Sequence, residues 1–137
     1  MSDLNDVFAI VAGAVPGALS RYHITEWTKA KFGLRFPYGT FIINLTGCLA
    51  IGFFFAILPS FPFYSHELDL MVRTGFLGAY TTFSTYSLDI LILWRNQQNF
   101  LSLFFAVASI IFGLIAVRIG AAIAQVFPVE FSNLLTI

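Results

Sequence analysis

Four long apolar stretches alternate with short polar ones along the chain: about Leu4 to Tyr22, Tyr38 to Leu58, Leu68 to Trp94, and Leu101 to Val126. A helix rises about 1.5 Å per residue and the hydrocarbon core of a bilayer is about 30 Å thick, so about 20 mainly apolar residues span it. Each stretch meets that length, and four spanning helices are predicted. Between them lie a charged, helix-compatible run (Thr25 to Arg35), a turn with Pro59, Pro62 and His66, and the polar run Arg95-Asn96-Gln97-Gln98-Asn99. Spans so closely spaced leave no room for a second domain, and residues 1–137 are expected to form a single all-α transmembrane unit.

Composition agrees with this pattern and removes other classes. Hydrophobic residues make up 58% of the chain and charged ones 10%, against about 25% charged in soluble domains. Seven Lys+Arg balance seven Asp+Glu, and basic residues so dispersed do not form the cluster that nucleic-acid binding needs. Cys48 is the only cysteine, which excludes an intrachain disulfide and a Cys-based zinc site. The start, Met1-Ser2-Asp3-Leu4-Asn5-Asp6, carries two acids and no base, unlike a secretory signal, and is expected to be retained. Arg21, Lys29, Lys31, Arg35 and Arg95 fall on one side of the predicted bundle, against Arg73 and Arg118 on the other. That difference favours an N-out, C-out arrangement, weakly enough to leave dual insertion open.

Small residues recur where helices can approach closely: Gly13 and Gly17, Cys48 and Gly52, and the stripe Ala116, Gly120, Ala124. They serve packing within one subunit or between subunits. Polar groups inside spans are more informative, because they are costly and face a partner or a water-filled path. Asp3, Asp6, Glu67, Asp69 and Asp89 all lie near span ends. A proton-coupled exporter of the small multidrug type would need such a carboxylate at mid-membrane. In the second span Thr40, Asn44 and Cys48 share one helical face. Asn44 has two readings, an interhelical hydrogen bond or an amide donor to an anion.

The third span contains Gly75-Phe76-Leu77-Gly78-Ala79-Tyr80-Thr81-Thr82-Phe83-Ser84-Thr85-Tyr86-Ser87, with hydroxyls at Thr81, Thr82, Ser84, Thr85 and Ser87 after two glycines. Low helix propensity here is compatible with a broken helix, whose freed carbonyls would suit a cation and whose freed N–H groups would suit an anion. An unbroken helix with hydroxyls bonded to the preceding turn is the other reading. Phe83 and Tyr86 are three apart, so their rings share a face, and the positive edge of an aromatic ring can meet a small anion without a formal charge. Ser109 and Ser102 share a face of the fourth span. Arg21 either draws anions into a vestibule or snorkels to the headgroups.

Gly17-Ala18-Leu19-Ser20-Arg21-Tyr22, Tyr38-Gly39-Thr40, Asn44-Leu45-Thr46-Gly47-Cys48 with Gly52, and Gly75 to Tyr86 together resemble the Fluc (CrcB) bacterial fluoride channels over the whole chain. The Thr-Thr-Phe-Ser-Thr-aromatic run after a glycine-rich turn is the specific signal. The resemblance implies four transmembrane helices with the third one broken, in a dual-topology antiparallel homodimer with two fluoride pores and a central structural sodium ion. Carried over, the backbone carbonyls of Gly78 and Thr81 would hold the sodium from both subunits. Asn44, Phe83, Tyr86 and Ser109 would line the fluoride path, with Thr40, Ser84 and Thr85 as further hydroxyls and Arg21 near the entrance. Tyr86 stands where the family commonly has Phe, and Gly113 stands one turn beyond Ser109 where another hydroxyl is expected.

The expected function is passive, fluoride-selective export across the bacterial cytoplasmic membrane, lowering cytoplasmic fluoride, with fluoride, the bilayer and a second copy as partners. No nucleophile is paired with a base, so an enzyme is not expected, and His23 and His66 sit in or near loops. The alternatives are the proton-coupled exporter and a non-transporting assembly subunit.

Overall fold

The computed structural model describes residues 2–126; Met1 and residues 127–137, which the single-unit expectation includes, lie outside the described residues. All regular structure among the described residues is helical. Helix α1 (Ser2–Phe32) runs through the first predicted span and on through most of the charged stretch after it. Its length of about 46 Å exceeds a bilayer core. It stops at Gly33, whose positive φ of 75° lets the chain turn while its N–H donates to the Lys29 carbonyl at 2.9 Å. Helix α2 (Tyr38–Ile57) follows Pro37 and ends where Pro59 enters a short 3₁₀ turn, Leu58–Ser60.

The third predicted span is divided. Its first half, which we call α3, starts as His66–Asp69, capped by the Ser65 hydroxyl, which accepts from Leu68 N–H at 3.1 Å. It continues as a π-helix over Leu70–Leu77 and a last turn over Gly78–Tyr80. Thr81 and Thr82 are extended (φ −80°, ψ 160° and φ −150°, ψ 118°). Helix α4 (Phe83–Arg95) then resumes with Thr82 as its N-cap. The unbroken-helix reading is therefore replaced. The glycine-rich stretch itself stays helical, and the break falls at the two threonines beyond it. Helix α5 (Asn99–Val126) follows a turn in which Gln97 takes φ 60°.

Three helical segments, Asp3–Phe32, Tyr38–Ser60 and Asn99–Val126, are long and apolar enough to cross a membrane. Neither half of the divided segment reaches about 20 residues alone, α4 having 13.

The helices approach through backbone contact. A Cβ on Gly13 would strike the Met71 carbonyl, one on Gly17 the Phe76 carbonyl, and one on Gly75 the Ile10 carbonyl. Gly52 meets Val117 and Gly120 meets Leu49 in the same way, joining α2 to α5. These glycines are used within one subunit, so those small-residue stripes do not themselves mark an interface between copies. Side chains complete the bundle. Phe105 and Ile43 are fully buried between α5 and α2. Ser102 Oγ donates to the Ile90 carbonyl at 2.9 Å, and the Thr46 and Tyr80 hydroxyls meet at 2.8 Å.

Candidate functional site

The break is held open by one side chain from a different helix. Asn44 Nδ2 donates to the Thr82 carbonyl, and Thr82 N–H donates to Asn44 Oδ1, both at 2.9 Å. A side-chain amide thus completes both polar groups of an extended residue that could find no partner in lipid. The interhelical hydrogen bond is the realised reading of Asn44, and its amide nitrogen keeps a second N–H. Thr82, not singled out from the sequence, is the hub. Its buried Oγ1 accepts from Thr85 N–H at 3.2 Å, donates to Thr85 Oγ1 at 3.0 Å and lies 3.3 Å from Ser84 Oγ. A threonine three residues before Thr85 is a legible N-cap signal.

These bonds have a second effect. In a continuous helix Thr82 N–H would bond the Gly78 carbonyl and Thr85 N–H the Thr81 carbonyl. Here the first donor goes to Asn44 and the second to Thr82 Oγ1. The two carbonyls assigned to sodium are those whose helical donors are diverted. Among the described residues no cluster of His, Cys, Asp or Glu is placed to hold a metal ion, so a cation here would have to rely on backbone oxygens. The residues fit that role.

A cavity of about 630 Å³ opens beside the break, lined by Asn44, Cys48, Gly78, Thr81, Phe83, Tyr86 and Ser109 among others. Ser109 Oγ is buried there without a hydrogen-bond partner. The rings of Phe83 and Tyr86 are 5.7 Å apart between centroids, tilted at 38°. Phe83 is 79% exposed in the single chain. The Tyr86 hydroxyl does not enter the cavity as a free donor, because it bonds the Ala106 carbonyl of α5 at 2.9 Å. Tyr86→Phe is therefore expected to cost about 1 kcal/mol of stability, read as a lower melting temperature in detergent, with transport unchanged because the ring edge stays. Transport lost with that hydroxyl would show that it does more than anchor.

The remaining predicted residues are placed apart. Thr40 Oγ1 donates to Asp89 Oδ2 at 2.6 Å, and both line a separate cavity of about 360 Å³ with Thr85, Thr28 and Lys29. Thr85 links the two spaces, since it lines this one and bonds Thr82 in the other. Ser84 is exposed at the start of α4. Arg21 lines neither cavity; its carbonyl accepts from Thr25 Oγ1 at 2.8 Å. Arg73, which the sequence placed only near a helix end, does line the larger one.

Membrane-length helices packed around a divided helix, with uncharged donors and ring edges turned to one cavity, define a polytopic helical membrane protein with a polar path through its bundle. The family model described as CrcB-like protein, Camphor Resistance (CrcB), matches residues 8–121. Relatives named "Fluoride-specific ion channel FluC" are 42% identical over 120 residues in Synechococcus sp. (strain JA-2-3B'a(2-13)), covering 88% of this chain and 92% of that one. In Trichormus variabilis the identity is 46% over 118 residues (85% and 86% covered), and in Synechocystis sp. it is 40% over 124 residues (90% and 95% covered). The chain belongs to the CrcB family.

Proposed function

We propose that this chain is a fluoride-specific channel of the bacterial cytoplasmic membrane, a passive pore and not an enzyme, which lets the cell lose fluoride. The observation that carries this reading is the cavity at the break. It offers the unpartnered Ser109 hydroxyl, the remaining Asn44 N–H, the positive N-terminal end of α4 and the Phe83 and Tyr86 ring edges. Each can replace part of a small anion's hydration, and each binds weakly enough to release it. The names of the relatives point to the same substrate.

The working unit in this proposal is an antiparallel pair of oppositely inserted copies, with two pores and a central structural sodium ion. Two carbonyls from one chain supply only part of a cation's oxygen shell, and a second copy would supply Gly78 and Thr81 again. Sodium would contribute fixed positive charge and would lock the two breaks together. The same second copy would cover the open side of the cavity, where Phe83 is exposed. Opposite insertion itself follows from the family resemblance.

A proton-coupled exporter requires a titrating carboxylate at mid-depth. Asp89 is bonded to Thr40, about 3 Å along α2 from Tyr38, which places it near one end of the path. Liposomes holding only the purified protein, with valinomycin carrying potassium and no pH gradient, separate the readings. Rapid fluoride efflux without chloride efflux is expected. Efflux that appears only with a pH gradient would replace the channel by the exporter.

A further inference from the structure

Arg73 shares the larger cavity with Asn44, Cys48 and Ser109. Its guanidinium carbon lies 4.9 Å from the centre of the Phe55 ring, and its Nη2 pairs with Asp69 one turn earlier. The two side chains are only 24% and 15% exposed. Asp69 Oδ1 is buried without a hydrogen-bond partner, so the carboxylate engages the guanidinium through one oxygen and is not otherwise saturated.

The position of the pair along the path follows from α2. The lining residues Asn44, Gly47, Cys48 and Ile51 recur at the spacing of one helical face, and Phe55 continues that face one turn further. Phe55 is about 16 Å along the axis from Asn44. The cavity thus extends along α2 from the break toward the end of the bundle that carries the Pro59 turn, and Arg73 stands at its mouth.

That end is rich in carboxylates. Asp3, Asp6, Glu67 and Asp69 gather there with His66, whose Nε2 lies 3.8 Å from Asp6. Arg118, on the last part of α5, is exposed and does not line the cavity. An anion approaching from this side meets a repelling field until it reaches Arg73. A guanidinium has five N–H donors in a fixed fork, and stacking on Phe55 holds its plane. An unopposed buried cation would hold an anion too firmly for conduction, which requires a site strong enough to enter and weak enough to leave.

We propose that the Arg73–Asp69 pair is the anion-gathering mouth of the path: Arg73 draws a small anion in past the surrounding carboxylates, and Asp69 weakens its hold enough for release. This rests on the fluoride-channel reading, and Arg73 acts here as a positioning residue for entry.

The test is fluoride efflux at low fluoride, measured for wild type, Arg73→Gln, Arg73→Lys and Asp69→Asn at low and at high ionic strength. At low ionic strength Arg73→Gln is expected to slow entry by about three- to tenfold, and at about 0.3 M salt the difference shrinks below about twofold. Arg73→Lys keeps the charge and stays within about twofold of wild type. Asp69→Asn has the opposite sign, raising the low-fluoride rate by about two- to threefold. If both neutral variants slow efflux equally and without salt dependence, the pair is a structural brace and the proposal fails. Should Arg73→Gln not yield folded protein, Asp69→Asn decides alone, faster efflux supporting the proposal and slower efflux overturning it. A wild-type protein without fluoride efflux removes the channel reading and this proposal with it, and is distinguished from the other failures by that control.

Discussion

Asn44→Asp is expected to abolish fluoride efflux while leaving the protein folded. The substitution is nearly isosteric. The carboxylate can still accept from Thr82 N–H, but the Nδ2 that donated to the Thr82 carbonyl at 2.9 Å becomes an oxygen facing an oxygen. It also places a negative charge where an anion must pass. At about 4 Å and an effective dielectric of about 20, that repulsion is about 4 kcal/mol, or roughly a thousandfold in rate. Asn44→Ala is expected to do something different, because it leaves both polar groups of Thr82 unpartnered. A buried group without a partner costs about 1–3 kcal/mol, so the alanine variant should lose stability together with transport. The pair of variants is read by efflux from liposomes and by elution and melting of the detergent-solubilised protein. Efflux from Asn44→Asp within about tenfold of wild type would remove Asn44 from the path.

The largest structural effect is expected from Gly120→Val. A Cβ at this position would collide with the Leu49 carbonyl and stand 2.9 Å from Phe53 N. Both obstacles are backbone of α2, and neither can move aside as a side chain would. Overpacking usually costs about 1–3 kcal/mol because side chains shift to absorb it. Here relief requires α2 and α5 to separate, so the cost exceeds that range and takes the Asn44 and Ser109 sides of the cavity apart. Monodisperse protein should be lost. Gly113→Ala is the matched control, since its Cβ would meet only Cys48 Sγ at 3.4 Å, and it should purify normally. A Gly120→Val protein that melts within a few degrees of wild type would contradict the close approach.

The spans were legible because length and hydropathy decide whether a helix can cross a bilayer, and both are local properties. The weakness of the third span was also legible, in its glycines and threonines. Where it breaks was not, because that depends on Asn44, 38 residues earlier in the chain, reaching the Thr82 peptide. Local propensity pointed to the glycines, yet Gly75 is occupied in packing against α1 and Gly78 stays in a helical turn. The small-residue stripes could be counted but not assigned to a contact, since a stripe looks the same whether its partner is in the same chain or another. The polar residues gathered from the sequence divide between two cavities, with Thr40 beside Asp89 in one and Asn44, Phe83, Tyr86 and Ser109 in the other. Arg21 and Arg73 exchanged places for a similar reason. Charge and distance from a span end are the same kind of signal for both, and only the winding of α3 determines which one faces the cavity.

That winding has a consequence for how the chain tolerates changes in length. Over Leu70–Leu77 the backbone closes its bonds in the wider π pattern, which accommodates one more residue than an α-helix would in the same rise. Removing a single residue from this stretch would let it relax into an ordinary α-helix at little cost to its own hydrogen bonding. Everything downstream would then be rotated by about 100°. Gly78, Thr81 and the start of α4 would swing away from Asn44 while the hydropathy of the span stayed nearly the same. The extra residue is a phase-setting element, and a one-residue deletion there would yield a membrane-inserted bundle whose two halves no longer face the same path.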